Sequence, residues 1–280
     1  MAIVPGYIGV AEVDGNIIRC SDININVEQD YVFYDHVIGL NDTVPSDSST
    51  KGENVGVIQT QKRIGRPSVA KIGGSLSFPL QEETESLFSY IKTGEYIDKI
   101  VVHYDCENIT RTFYDCRLDN YSFNVTAGDI AHIQTSFYAL GEEDTNEGSP
   151  GYETAHKLIT WDKISVSSSI FGSGDVFSFE FSANNNVTSI YTANNESEYS
   201  PFLPSDLRLG MQEVTGNIVV YNKEGKEFIS ASDDLSTIDL NAYVFSTTIY
   251  CMTKPLSLPA AVGIIKTTIP FVGVDKAFGS

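Results

Sequence analysis

Apolar and polar positions alternate with a period of two through much of the chain, most clearly in two places. In the first, Ile164, Val166 and Ile170 form an apolar row and a Gly172-Ser173-Gly174-Asp175 turn follows; Phe177, Phe179 and Phe181 then alternate with Ser178, Glu180 and Ser182. The pattern predicts a two-stranded hairpin across 163–193, with one greasy face and one small polar face. The second place is 22–43. There Ile23, Ile25 and Val27 alternate with Asn24, Asn26 and Glu28, and Tyr31, Phe33 and Tyr34 follow a polar Glu28-Gln29-Asp30 break. One β unit thus occurs twice in the chain.

The remaining segments extend this picture. Asp14-Gly15 predicts a hairpin turn between Ile8-Gly9-Val10 and Ile17-Ile18. Residues 41–56, rich in Ser, Asp, Gly and Pro, predict a long exposed loop. Residues 57–71 carry Lys62, Arg63, Arg66 and Lys71, with Gly65 and Pro67 expected to interrupt any regular element, so this also reads as loop. Leu76, Phe78 and Leu80 mark one face of a strand over 73–80, and Pro79 places its end near a sheet edge. Glu82–Lys92 has the pattern of a short amphipathic helix: Leu87, Phe88 and Ile91 apolar, acidic residues in the first turn, Lys92 in the last, and Gly94 as cap.

Residues 100–106 and 109–118 predict a hairpin that continues through Val125. If Glu107-Asn108 is its turn, Cys116 lies level with Lys99. A strand over 130–140 follows. Residues 141–152 (GEEDTNEGSPGY) lack apolar periodicity and read as linker. Beyond it, strands are expected at 187–191, within 206–221, at 241–251 and at 263–272. The stretch after Tyr221 has only a weak counterpart of the helix.

Composition narrows the class. A chain of 280 residues suits two antiparallel domains of about 130 residues each. Tyr and Phe number 15 each beside one Trp, and Val, Ile, Thr and Ser fill the periodic segments, so the expected fold class is all-β. The expected division is 1–141, an acidic linker at 142–157, and 158–280. A net charge of −19 excludes a basic nucleic-acid cleft as the main business of the chain. No window is apolar enough to span a bilayer, and no secretory signal opens the chain. Cys20, Cys106, Cys116 and Cys251 lack zinc-type spacing and read as free thiols.

Catalytic templates are missing. His36, His103, His132 and His156 have no i, i+4 partner or HExxH context, Gly172-Ser173-Gly174 lacks a P-loop lysine, and no GxSxG occurs. The best acid/base or metal grouping is His103 with Asp105 and Asp115 on one hairpin, a set that solvated hairpin residues also produce. No enzyme activity, cofactor or metal is expected.

The strand Gly73-Gly-Ser-Leu-Ser-Phe-Pro-Leu80 entering a single helix, the hairpin ending in Asn124-Val-Thr-Ala-Gly-Asp129, and the strand closing on Ala139-Leu-Gly141 resemble the tail tube proteins of tailed bacteriophages. Phe177–Asn185, Pro204–Gly210 and Val214–Ile218 are similar to the same module again. The resemblance implies two tandem tube-type β-sandwich or barrel domains, with a helix in the first and a weaker or absent one in the second. It implies a virion protein, made in the host cytoplasm, whose stacked rings form a hollow conduit for genome ejection. A two-domain chain fits a trimeric ring better than a hexameric one. Implied partners are further copies of the chain and other tail proteins: sheath in a contractile tail, tape measure, baseplate and terminator. Genomic DNA would pass without specific binding, and no membrane is involved.

On that reading the polar positions Asn24, Asn26, Glu28, Ser178, Glu180, Ser182, Glu213, Thr215 and Asn217 line the lumen, and Lys62, Arg63, Arg66 and Lys71 form an inter-subunit loop that docks on a neighbour's acidic surface. Two alternatives stand beside it. One is a baseplate or tail-tip ring of the same fold. The other is a carbohydrate-binding or adhesin-like module with Tyr191 and Tyr199 as sugar platform.

Overall fold

The structure is a computed structural model and describes residues 9–37, 61–104, 109–144, 157–168, 171–192, 199–200, 202–221, 236–253 and 266–278. The strands are β1 (Gly9–Val13), β2 (Asn16–Cys20), β3 (Asp22–Val37) and β4 (Gln61–Pro79), then helix α1 (Glu85–Thr93). After it come β5 (Ile97–Tyr104), β6 (Ile109–Thr126), β7 (His132–Ala139) and β8 (Gly141–Asp144). The second half contributes β9 (Ser165–Ser168), β10 (Val176–Asn184), β11 (Thr188–Ile190), β12 (Asp206–Arg208), β13 (Glu213–Tyr221), β14 (Thr237–Asn241), β15 (Ser246–Thr253) and β16 (Lys266–Phe278). The fold is all-β with one α-helix among the described residues.

Strand β6 organises the molecule. Its first part, Ile109–Cys116, pairs with β5 and β8; its last part, from Arg117, pairs with β7 and then β10. One long strand therefore joins an outer sheet (β2-β1-β5-β6-β8) to a wall running β3-β4-β7-β6-β10-β13-β16-β15. Phe113 from the outer sheet meets Phe137 from the wall edge to face at 5.3 Å, and one buried cluster fills the space between the layers. In the second half β15 likewise pairs with β16 on the wall side and with β14, which pairs with β9. The pairing order β3-β4-β7-β6-β5-β1 is matched by β10-β13-β16-β15-β14-β9.

Helix α1 covers the place where the halves meet. Leu87, Phe88 and Ile91 are buried, and Phe88 touches Phe181, Phe245 and Phe278 of the second half. Gly94 ends the helix at φ 69°, where its N–H reaches the Tyr90 carbonyl; the left-handed turn suits a residue without Cβ. The hairpin at Asp14-Gly15, the helix and the strands over 97–140 match their predicted positions.

Several expectations are corrected. The predicted hairpin across 163–193 does not form: β9 pairs with β14, whereas β10 pairs with β6 and β13. Alternation marks which residues share a face but says nothing of which strand lies alongside. The Val176/Ser178 irregularity also turns Phe177 off the greasy face, where Lys266 Nζ sits 3.2 Å above its ring. The polar break at 28–30 is a bulge within continuous β3. Residues 61–71 belong to β4, not to a loop. Over that stretch β3 is the only pairing neighbour among the described residues, because β7 joins at Ile72, so Pro67 costs no ladder bond on a second side there.

Strand β4 is also internal to the wall, with β3 as the wall's end strand among the described residues, and Pro79 is tolerated as the last residue of its strand. Tyr104 pairs with Ile109 and Lys99 with Tyr114, so the hairpin connection spans four residues and Cys116 opposes Ile97. The first residues of the predicted linker form β8. The strand expected over 241–251 is a hairpin, with Asn241 opposite Ser246 and Tyr243 at φ 65°. The loop at 41–56, Cys106 and the weak helix after Tyr221 lie outside the described residues.

Candidate functional site

Because partners in antiparallel strands share a face, the registers trace continuous rows across the wall. One row runs Asp22, Ser77, Gln134, Ser122, Ser182, Thr215. Another runs Asn24, Ser75, Ser136, Asn120, Asn184, Glu213, and a third His132, Asn124, Glu180, Asn217. The interleaved rows are apolar: Phe78, Ile133, Phe123 and Phe181 continue into Gly216 and Phe271. All of these but Gly216 are buried. The wall therefore has one core face and one wet face, and the wet face crosses the junction between the halves without interruption.

Of the nine positions read from the alternation, six stand in these rows, and Asn26, Glu28 and Ser178 take further positions of the same register parity on β3 and β10. Asn24, Asn26, Glu180, Glu213 and Thr215 are exposed, Ser178, Ser182 and Asn217 are half-buried, and Glu28 pairs with Lys71 beside Asn26 and Gly73. Side chains bond across strands: Asn217 Nδ2 donates to Glu180 Oε1 at 2.5 Å, and Asn120 Nδ2 to Ser182 Oγ at 3.0 Å over the β6–β10 junction. Ser75, Ser77, Ser122, Asn124, Gln134 and Ser136 belong to the same face but were not singled out from the sequence. Their signal was present in the alternation of Gln134 and Ser136 with Ile133, Thr135 and Phe137. The face is chiefly hydroxyl and amide. Asp22, Glu28, Glu180 and Glu213 supply its acidic positions, and Lys71, Arg117 and His132 stand among them, so it does not concentrate the acidity of the chain.

The four cations of the predicted docking loop lie on β4, three of them beyond the wall on a two-stranded arm. There Lys62 pairs with His36, Arg63 with Asp35 and Arg66 with Val32. Lys71 sits where the arm leaves the wall and is exposed.

The other chemistry does not assemble. His103 is buried with Nδ1 2.8 Å from Thr110 Oγ1, and its register places it far along the hairpin from Asp115, which instead accepts from the Tyr199 hydroxyl. Asp105 lies outside the described residues. No group of three metal-ligating side chains occurs among the described residues. Nor is any described helix long and apolar enough to cross a membrane. Tyr191 donates to the Ala70 carbonyl and Tyr199 stacks on Tyr114 at 5.7 Å, so both of the tyrosines considered for sugar binding pack the second half against the first. Burial raises the thiol pKa of Cys20 to about 12 and of Cys251 to about 11, which makes them core residues and not nucleophiles.

An eight-stranded antiparallel wall, whose polar rows run from β3 to β13 and continue on β16 and β15 as Pro270, Val272 and Met252, defines an all-β protein built on one continuous sheet. The family model for phage tail tube proteins matches residues 21–271, and the chain belongs to that family. It is thus a structural protein of the phage virion tail. No curated protein matches the chain.

Proposed function

We propose that the chain is two tube domains in tandem, about 1–141 and 158–280 joined by an acidic linker, and that copies of it close into stacked rings whose bore is lined by the wet face of the wall. The observation that carries this reading is the continuity of that face across the β6–β10 junction. Two halves with one pairing order join side by side, in the manner that copies in a ring must join. Among the described residues strand β3 pairs only with β4, and an edge of this length invites another strand. Three chains, each bringing two halves, make a pseudo-sixfold ring; ring closure removes the edges.

The bore would pass the genome without holding it. Ser, Thr, Asn and Gln offer water-like hydrogen bonding, and the scarcity of cations denies phosphates a grip. Other tail proteins are the expected partners at the ends and on the outside of the tube. The basic residues of the arm, Lys62, Arg63, Arg66 and Lys71, would meet acidic surface on a neighbouring copy, which makes assembly salt-sensitive.

Negative-stain microscopy of the concentrated protein, with its light-scattering mass, tests the reading. Hollow tubes, and single rings with the mass of three chains, are expected. Rings of six chains would overturn the trimeric arrangement, and a chain that never associates would overturn self-assembly.

A further inference from the structure

The matched pairing order lets each surface of one half be compared with its counterpart in the other. Gly74 opposes Phe137, which opposes Leu118; Gly216 opposes Phe271, which opposes Thr253. Stepping back along β6 and β15 from these anchors sets Arg117 against Met252 and buried Cys116 against buried Cys251. Tyr114 then corresponds to Tyr250, with Asp115, at φ 49°, as one extra residue in β6.

In the first half this surface is covered. The ring of Tyr199 lies on Tyr114 at 5.7 Å with 9° between planes, and its hydroxyl donates to Asp115. The Arg117 guanidinium sits 4.0 Å over the ring of Tyr96, whose hydroxyl donates to Asp206. Tyr199 and Asp206 both belong to the connection between β10 and β13. In the second half the counterparts are bare: Tyr250 is 45% exposed, Met252 65%, and Val274 beside them 37%. Three large apolar side chains meet water where the first half has a lid.

We infer that this patch is the seat of the β3–β4 arm of a second copy of the chain. In the pairing order, the connection between β10 and β13 corresponds to the one between β3 and β4. It leaves the wall at Asn184 and Glu213, as the arm leaves at Glu28 and Lys71. The first lid reaches backward onto the half that precedes it in the chain. In the row that side-by-side packing of halves builds, the first half of one copy stands beyond the second half of another, so the arm's equivalent resting place is the second half of a neighbour. Its backbone runs as a two-stranded ribbon past the last β7 pairing, and its sequence includes Tyr31, Phe33 and Tyr34, aromatic residues of the kind that Tyr199 contributes to the first lid. The inference rests on self-assembly and names the contact.

Benzoylphenylalanine in place of Tyr250, in an equal mixture of isotopically light and heavy chains, tests it. Illumination under assembling conditions is expected to give mixed-isotope crosslinks from position 250 to peptides within 29–37 or 61–69. Met252→Asp, an exposed change, is expected to raise the concentration needed for assembly by about tenfold or more with unchanged circular dichroism and Tm. Assembly accompanied by crosslinks to other segments, by none, or by an unmoved threshold in Met252→Asp overturns the inference alone. A wild-type chain that stays monomeric overturns self-assembly, and the inference with it.

Discussion

The rings of Phe88 and Phe245 lie face to face, with centroids 4.2 Å apart and planes 15° apart. Phe88 belongs to helix α1 of the first half, and Phe245 to the β14–β15 turn of the second. The same Phe88 ring meets Tyr121 and Phe181 on the wall and Phe278 near the end of the chain. The helix is therefore a wedge in a core that both halves share. Phe88→Ala removes a buried aromatic from that junction and is expected to cost about 3–5 kcal/mol. Calorimetry should show one lowered transition for the whole chain. A second transition left at the wild-type temperature would mean that the halves are held independently.

Asn185 performs the polar part of the same task. Its side chain is buried, and Nδ2 donates to the carbonyls of Ile91 at 3.2 Å and Leu118 at 3.1 Å, while Oδ1 accepts from Gln212 Nε2 at 2.7 Å. The Ile91 carbonyl belongs to the last turn of α1, where helical partners run out. Asn185→Ala leaves buried groups short of partners and should destabilise by about 1–3 kcal/mol. Asn185→Asp should be no better, since a carboxylate cannot donate. Equal urea midpoints for wild type and both variants would contradict this.

Two of the wall glycines, Gly74 and Gly216, have a steric reason. A Cβ at Gly216 would lie 2.3 Å from the Glu180 carbonyl oxygen and 2.3 Å from Phe271 Cζ; one at Gly74 would lie 2.8 Å from the Asn24 carbonyl oxygen. Backbone cannot retreat as a side-chain tip can. Gly216→Ala is expected to cost about 1–3 kcal/mol and Gly74→Ala less, read from denaturant midpoints. The reverse order would show that Phe271 yields more easily than its packing suggests.

How much of this was legible beforehand depended on the range of the interaction. Alternation at Ile23–Glu28, Phe179–Ser182 and Val214–Asn217 told which side chains share a face, because that is a property of one strand. The partners of β9 and β10 were hidden, since Ser165–Ser168 pairs with Thr237–Asn241 some seventy residues onward and no local pattern encodes that choice. Gly65 and Pro67 looked like breakers because a central strand would reject them; a ribbon with one neighbour does not. The wet face is legible in outline; its larger part on β6 and β7 shows in the alternation of Gln134 and Ser136 with Ile133 and Phe137, but no local pattern tells that these strands adjoin β4 and β10.

The buried thiols give the fold an alkaline limit. Desolvation raises Cys20 from an ordinary 9.0 to about 12 and Cys251 to about 11. Unfolding lets each thiol ionise near pH 9, so the unfolded state gains stability once pH exceeds that value. The stability these groups contribute is thus whole below about pH 9 and is lost as pH rises through 11 to 12. Urea midpoints should be insensitive to these thiols between pH 7 and 8.5 and fall above pH 9, with a shallower fall in Cys20→Ala measured against its own neutral-pH value. An identical alkaline slope in that variant would show that other groups set the limit.

The bore assignment makes the sharpest demand on function. If the wet face lines the tube, every ring repeats its charges around the path of the genome, and one substitution acts many times along the tail. Glu28→Lys combined with Glu180→Lys replaces four units of charge per chain on a face where hydroxyl and amide groups otherwise prevail. Phosphates that met neutral or negative wall would then meet stacked cations, and their attraction is cumulative along the tube because the confined duplex cannot move away from it. Glu180 is exposed and points away from the core, so folding and tube assembly should survive. Particles carrying the double variant are expected to have tails of normal length in micrographs, normal adsorption to cells, and slowed or arrested genome ejection that rising salt partly relieves. Normal ejection kinetics from such particles would remove these residues from the bore and leave the wet face facing something other than DNA.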